Sequence, residues 1–167
     1  PFVAVHCAAL STHLLESEAE EEAVRTSMGT GQMEFLSTTG ALDTETDSLD
    51  PLTANLVGIS FAVAPGEAAY LPLRHAGPAA PEQLAFDDTL ARLRPWLESD
   101  KAAKVGQNLK YDMHVFANAG ITVRGYAHDT MLQSYVLEAH RSHSVESLAQ
   151  RHLGRKGLSY EDLCGKG

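Results

Sequence analysis

The stretch Ala41-Leu42-Asp43-Thr44-Glu45-Thr46 places two carboxylates two positions apart in a segment that otherwise favours a β-strand. Side chains at i and i+2 of a strand point to the same face, so Asp43 and Glu45 would converge. Converging anions repel and lose hydration unless a cation lies between them, and an all-oxygen ligand set favours Mg²⁺ or Mn²⁺ over zinc. Taken alone, the triplet also fits a solvated pair at a strand end.

A further carboxylate follows a second short strand. The chain reads KVGQNLKYD over residues 104–112, which places Asp112 near the start of a helix, where Asn108 four residues earlier could share its face. Acidic groups at the ends of two strands could bracket two metal ions about 4 Å apart, an arrangement suited to in-line phosphoryl displacement. The alternative for Asp112 alone is a helix N-terminal charge that favours the dipole.

The remaining pattern alternates strands and helices. A turn signal at Pro65-Gly66 predicts an antiparallel hairpin, and Asp129 and Ser144 are typical helix N-caps. Early strands followed by alternating helices indicate an α/β fold with a mixed sheet. The expected strands lie at 55–63, 68–73 and 104–106, and the expected helices at 81–97, at 111–119 with Gly120 after its end, at 129–136 and from 144.

Four ordered stretches, at 41–50, 55–61, 104–112 and 128–135, resemble the 3′–5′ exonuclease (proofreading) domain of bacterial DNA polymerase I, as does the closing Gly165-Lys166-Gly167. The resemblance covers residues 41–167. It implies a ribonuclease-H-like α/β fold of the DEDD exonuclease type, a mixed sheet flanked by helices. It also implies two-metal hydrolysis at a single-stranded DNA 3′ end, with release of nucleoside 5′-monophosphates, beside a polymerase domain. A non-catalytic binding or structural module and an RNA-directed exonuclease are the alternatives.

The same resemblance implies roles for individual residues. Asp43, Glu45 and Asp112 match the first two exonuclease motifs, which implies that they are catalytic ligands of Mg²⁺ or Mn²⁺. Leu49 matches a leucine that wedges against the terminal bases, in keeping with the apolar contacts that hold single-stranded ends, although a core leucine is an alternative. A core position is also the alternative for Met131. The residues implied to bind substrate are Thr46, Leu49, Gln107, Asn108, Tyr111 and Met131.

The family's third motif, a Tyr followed four residues later by an Asp, does not occur within residues 41–167. Tyr160 is followed by Glu161 and Asp162, which is the wrong spacing. We therefore expect a C-terminally truncated domain that lacks one metal ligand. Metal binding and activity should be weakened, because fewer charges hold an ion that dehydrates reluctantly.

Residues 1–40 do not share the resemblance and are expected to be a foreign or poorly ordered leader and linker. Residues 1–18 are similar to a short segment of AAA+ enhancer-binding transcriptional activators. The phosphate-binding pattern GxxxxGK[ST] is absent, so we expect no ATP binding. Small polar residues at 37–40 predict that the strand carrying Asp43 is short or frayed at its start.

Composition excludes several classes of function. The 167 residues include 13 Lys and Arg against 22 Asp and Glu, and a net charge of -9 excludes a polycation that coats nucleic acid by charge alone. The two cysteines, Cys7 and Cys164, lack CxxC spacing, which favours a reducing cytoplasm over a disulfide scaffold. No apolar run approaches the roughly 20 residues needed to span a bilayer, so no membrane partner is expected.

Overall fold

The computed structural model describes residues 40–64, 67–78 and 80–154. The expected leader, the Pro65-Gly66 turn and the neighbourhood of Tyr160 lie outside the described residues, apart from Gly40. Within the described ranges the elements are β1 (Gly40–Thr46), β2 (Leu56–Ala64), β3 (Glu67–Pro72), α1 (Phe86–Leu97), β4 (Lys104–Gly106), α2 (Leu109–Asn118), β5 (Tyr126–Asp129), α3 (Thr130–Glu138) and α4 (Val145–Leu153).

The five strands form one mixed sheet in the order β3-β2-β1-β4-β5. The hairpin of β2 and β3 is antiparallel, as predicted, and β1 is antiparallel to β2. By contrast, β1, β4 and β5 run parallel to one another. The carboxyl ends of these three strands therefore meet at the same edge of the sheet, which is where ligands bind in open α/β sheets.

The strand that carries Asp43 is the central one. β1 has seven residues and is hydrogen-bonded to a neighbour on each side, with Asp43 opposite Ser60 and Glu45 opposite Gly58 on β2. The expectation of a short or frayed strand is wrong. Pairing with β2 and β4 and the burial of Leu42 stabilise the first residues of β1, which have little β-propensity of their own.

The short strand β4 is secured at both of its ends. Lys104 is fully buried, and its Nζ donates to the carbonyls of Ser99 at 2.9 Å and Ala102 at 2.8 Å, while burial lowers the pKa of this amine to about 8. A Cβ on Gly106 would lie 2.8 Å from the carbonyl oxygen of Leu42. Only glycine therefore lets the end of β4 approach β1 this closely.

Helix α1 begins at Phe86, five residues later than the expected start at Pro81. The preceding segment extends along the sheet, where the amide of Leu84 donates to the carbonyl of Pro72 at 3.1 Å. That hydrogen bond holds the chain extended until Asp87 and Asp88 supply a favourable acidic first turn. The buried face of α1 consists of Thr89, Leu90, Leu93, Trp96 and Leu97.

The predicted caps of the later helices are confirmed. The Asp129 side chain accepts from the amides of Met131 and Leu132, and the Ser144 side chain accepts from the amide of Ser147. Gly120 follows α2 with a φ of +75°, as expected of a residue just beyond a helix end. No helix in the described part of the chain is both long and apolar enough to cross a bilayer.

Candidate active site

The three predicted carboxylates lie on β1 and on the first turn of α2, which packs against that strand. Asp43 is half-buried, Glu45 is 3% exposed and Asp112 is 1% exposed. Asp112 is close enough to Glu45 to raise the pKa of that carboxyl further. Residues 67 positions apart in the sequence are thus brought into electrostatic contact, as the metal hypothesis requires.

The carboxylate of Glu45 is buried and lacks a hydrogen-bond donor among the described residues. Neither of its oxygens has a hydrogen-bond partner within the described residues. Burial raises the pKa of Glu45 from 4.5 to about 7, and Asp112 adds a smaller rise. An unpaired buried carboxylate is costly, so this position calls for a proton or a cation.

Asp112, in contrast, has strong partners on β1. Its Oδ1 accepts from the backbone amide of Thr44 at 3.0 Å and from the Thr44 hydroxyl at 2.7 Å. Burial raises the pKa of Asp112 to about 7, although the two bonds from Thr44 act to lower it. Asp112 is therefore not a solvent-facing helix charge, and the middle residue of the Asp-Thr-Glu triplet holds it against β1.

The loop after β1 is tied to α2 through Tyr111. The Tyr111 hydroxyl donates to the carbonyl of Ser48 and contacts the hydroxyl of Thr46, both at 2.5 Å. Leu49, next in this loop, is 60% exposed. The core alternative for Leu49 is therefore wrong, and the loop that Tyr111 ties to α2 presents an apolar side chain to solvent.

Asn108 lies outside helix α2, at the position just before its first residue, and has a left-handed backbone with a φ of 59°. The argument that Asn108 shares a helix face with Asp112 is therefore wrong, because α2 begins only at Leu109. The Asn108 side chain makes no capping hydrogen bond, which leaves it unused by the helix it precedes.

Gln107 spans two connections of the fold. Its Nε2 donates to the carbonyl of His143 at 2.7 Å, and its Oε1 accepts from the hydroxyl of Thr130. Both ends of this side-chain amide are thus occupied by the protein. Gln107 therefore links the β4–α2 turn to the start of α3 and to the α3–α4 connection.

Asp129 reaches further than its predicted role as a cap of α3. Its carboxylate also accepts from the amide of Asn108 at 3.2 Å and from that of Leu109 at 2.9 Å. Met131, half-buried at the start of α3, donates its amide to the same carboxylate at 2.9 Å. Sequence reasoning missed the contact with α2. The usable signal was that Asp129, like Glu45, stands near the carboxyl end of a strand in the parallel set.

The donor set suits a hard divalent cation, although it is not preassembled around one. No group of three His, Cys, Asp or Glu side chains in the described ranges is placed so as to hold a metal ion as it stands. The carboxylates of Asp43, Glu45 and Asp112 nevertheless supply only oxygen, and the unpartnered Glu45 has both oxygens available. These residues fit Mg²⁺ or Mn²⁺ by donor type.

Comparison with known proteins settles the family. A sequence model of the 3′–5′ exonuclease family matches residues 20–167. Over 130 residues the chain is 52% identical to DNA polymerase I of Pseudomonas aeruginosa, a match that covers 76% of this chain and 14% of that protein. The chain belongs to the 3′–5′ exonuclease domain family of DNA polymerase I. It spans about one seventh of the length of that curated relative.

Solved structures agree on the fold. RNase D of Escherichia coli, an exoribonuclease, superposes with a TM-score of 0.53 at 16% identity, covering 81% of this chain and 32% of that one. Brucella melitensis NrnC with bound Mg²⁺ superposes with a TM-score of 0.54 at 19% identity, covering 71% of this chain and 54% of that one. The predicted ribonuclease-H-like mixed sheet flanked by helices is confirmed.

Proposed function

We propose that this exonuclease domain removes the 3′-terminal nucleotide of single-stranded DNA by metal-dependent hydrolysis and releases nucleoside 5′-monophosphates. In this proposal it serves the proofreading of a DNA polymerase I. Family membership supports the reaction class, and the side chains on β1 and α2 support the chemistry.

Asp43, Glu45 and Asp112 would hold Mg²⁺ or Mn²⁺ at the carboxyl edge of the sheet. A bound pair of such ions stabilises charge on the attacking and leaving oxygens of an in-line phosphoryl displacement. The protein's own part is to keep these oxygens together in a site of low water content. Thr44 holds the Asp112 carboxylate against β1 by two hydrogen bonds, one from its backbone amide and one from its hydroxyl.

The loop after β1 would receive the terminal nucleotide. Leu49 is exposed there and offers an apolar surface for the terminal base, because base contacts with single strands depend mainly on stacking and apolar packing. Tyr111 fixes this loop relative to Asp112 by its bond to the carbonyl of Ser48. Thr46 contacts the same loop through the carbonyl of Ser48. Asn108 and Met131 are further substrate-binding residues in this proposal, whereas the bonds of Gln107 within the protein favour a supporting role for it.

The observation that carries the proposal is the carboxylate of Glu45. It is buried, it has no hydrogen-bond partner within the described residues, and Asp112 lies close enough to raise its pKa. Two neighbouring buried carboxylates, Glu45 and Asp112, would only destabilise a domain with a purely structural role. A divalent cation, by contrast, would relieve both the missing partner and the repulsion.

Manganese binding tests this assignment directly. Calorimetric titration of the 167-residue chain with Mn²⁺ should show binding that Asp43→Asn and Glu45→Gln each weaken by about 100-fold, since each removes a charged ligand. The matched control is Asp87→Asn, on the exposed first turn of α1. Equal affinities in the parent chain and both site variants would contradict the metal assignment.

Digestion of 3′-labelled oligonucleotides separates the enzyme from the alternatives. No Tyr-x-x-x-Asp sequence occurs in residues 41–167, so we expect slow digestion by the 167-residue chain and faster digestion by a longer version that carries this motif downstream. Failure of the longer version with Mn²⁺ present would favour a non-catalytic binding module. Preferential cleavage of RNA of the same sequence would favour an RNA-directed exonuclease.

A further inference from the structure

The carboxylate of Asp129 accepts hydrogen bonds from backbone amides at the N-termini of two helices. Asp129 Oδ1 accepts from the amides of Met131 at 2.9 Å and Leu132 at 3.2 Å, which open α3. The same oxygen accepts from the amide of Asn108 at 3.2 Å, and Oδ2 accepts from that of Leu109 at 2.9 Å, which open α2. The partial positive ends of both helices thus meet one negative charge.

Helix α2 depends on this carboxylate because it has no cap of its own. Asn108 occupies the N-cap position in a left-handed conformation, and its side chain makes no capping bond. The first amides of a helix need an acceptor from elsewhere. For α2 that acceptor stands 20 residues further along the chain, at the end of β5.

The first turn of α2 carries the side chains that matter to the site. Tyr111 binds the loop of Leu49, and Asp112 binds β1 through Thr44. A shift at the start of α2 would displace both contacts. The four hydrogen bonds of the Asp129 carboxylate come from backbone amides and not from the predicted metal ligands or the Leu49 loop. Its charge is nevertheless close enough to Asp112 to raise the pKa of that carboxyl.

We propose that Asp129 is a positioning residue: by clamping the start of α2 to the end of β5 it holds Asp112 where the metal site needs it. The effect on metal binding rests on the proposed function, whereas the clamp itself does not. A plain α3 cap would bond only to α3, but two of the four hydrogen bonds accepted by this carboxylate come from the start of α2, one from the N-cap residue Asn108 and one from Leu109.

The variant Asp129→Asn separates the two roles. An asparagine keeps one oxygen, which can still accept from the three amides now bound to Oδ1. Its other terminus is an NH₂ donor that would face the donating amide of Leu109. Asp129→Asn should therefore retain the cap of α3 and the bond from Asn108, and lose the bond from Leu109, the first residue of α2. The matched control is Ser144→Ala, which removes the cap of α4 without touching α2.

Amide hydrogen exchange, measured by NMR on the metal-free chain, tests the hydrogen bond between Leu109 and Asp129 without requiring enzymatic activity. Loss of a hydrogen bond to a charged acceptor should speed exchange at Leu109 by about tenfold or more in Asp129→Asn. Exchange at Met131 and Leu132 should change less, and Ser144→Ala should leave residue 109 unchanged. Unaltered exchange at Leu109 in Asp129→Asn would overturn the clamp.

Mn²⁺ titration of the same variants measures whether loss of this hydrogen bond weakens metal binding. Asp129→Asn should weaken Mn²⁺ binding by about tenfold, in the range found when groups that orient metal ligands are removed, while Ser144→Ala should bind as the parent does. Faster exchange with parental Mn²⁺ affinity would overturn the positioning role. If the parent itself binds no Mn²⁺ and exchange at Leu109 still rises in Asp129→Asn, the proposed function fails while the clamp stands.

Discussion

The region formed by β1, β2, α1 and α2 and the region formed by α3 and α4 are stabilised in different ways. In the first, Leu93, Leu97 and Phe116 are fully buried against the sheet. In the second, Ser134 is the one buried residue of α3, and α4 buries none within the described part of the chain. The exposed large apolar side chains of these two helices are Leu132, Tyr135, Val136, Leu137 and Leu153.

Polar contacts take the place of a core in the second region. Caps at Asp129 and Ser144 begin its helices, and Glu138 pairs with Arg141 and Arg151 across the connection between them. The pair with Arg141 is partly exposed, and such pairs contribute little each. The predicted catalytic carboxylates thus lie in the well-packed region, whereas Asp129, where β5 meets α3, supplies the acceptor for the first amide of α2.

The largest expected effect comes from the same substitution made in each region. Leu93→Ala should lower the free energy of unfolding by about 2–5 kcal/mol, because it leaves a cavity beneath α1. Leu137→Ala, at a residue that is 76% exposed, should change it by less than about 0.5 kcal/mol. Urea denaturation measures both, and comparable losses would erase the contrast between the two regions.

A smaller effect is a pH dependence confined to the well-packed region. Because the pKa of Glu45 is raised to about 7 in the folded state, the folded protein binds this proton more tightly than the unfolded chain does. The contribution of Glu45 to stability should therefore be greatest at low pH and fall by about 2–3 kcal/mol as pH rises from 4.5 to about 7. Urea denaturation with EDTA at pH 5 and pH 8 measures the loss.

Glu45→Gln assigns that loss to its source. The variant cannot ionise at this position, so its stability should decline less between the two pH values, and the remaining decline belongs to Asp112, whose pKa is also raised to about 7. A parental slope in Glu45→Gln would place the responsible group elsewhere.

The smallest effect tests the bond between the two buried elements of the site. Thr44→Val keeps the shape but removes one donor to Asp112, which should cost about 1–2 kcal/mol of stability and move the pKa of Asp112 further upward. Thr89→Val is the matched control, since that buried hydroxyl donates only to the carbonyl of Ala85 one turn back. Urea denaturation measures the change in stability, and NMR titration measures the pKa of Asp112. Equal losses of stability in Thr44→Val and Thr89→Val would contradict a special role for Thr44.

Local patterns in the sequence determined much of this domain. Alternation of side chains predicted that Asp43 and Glu45 share a face, turn residues predicted the hairpin, and oxygen termini at Asp129 and Ser144 predicted helix starts. The hairpin and the two helix starts are confirmed, because the interacting atoms lie within a few residues of each other and spacing alone fixes their geometry. The late start of α1 was not predictable in this way, because the amide of Leu84 bonds to a strand twelve residues earlier.

Tertiary structure alone decided what holds the carboxylates in place. Thr44 binds Asp112 across 68 residues, and Asp129 reaches back 20 residues to cap α2. Both contacts exist because parallel strands bring their carboxyl ends to one edge of the sheet, a juxtaposition that no local spacing encodes. The sequence therefore identified the acidic residues. The fold decided that Asp112 and Asp129 have hydrogen-bond partners, whereas Glu45 is buried with none among the described residues.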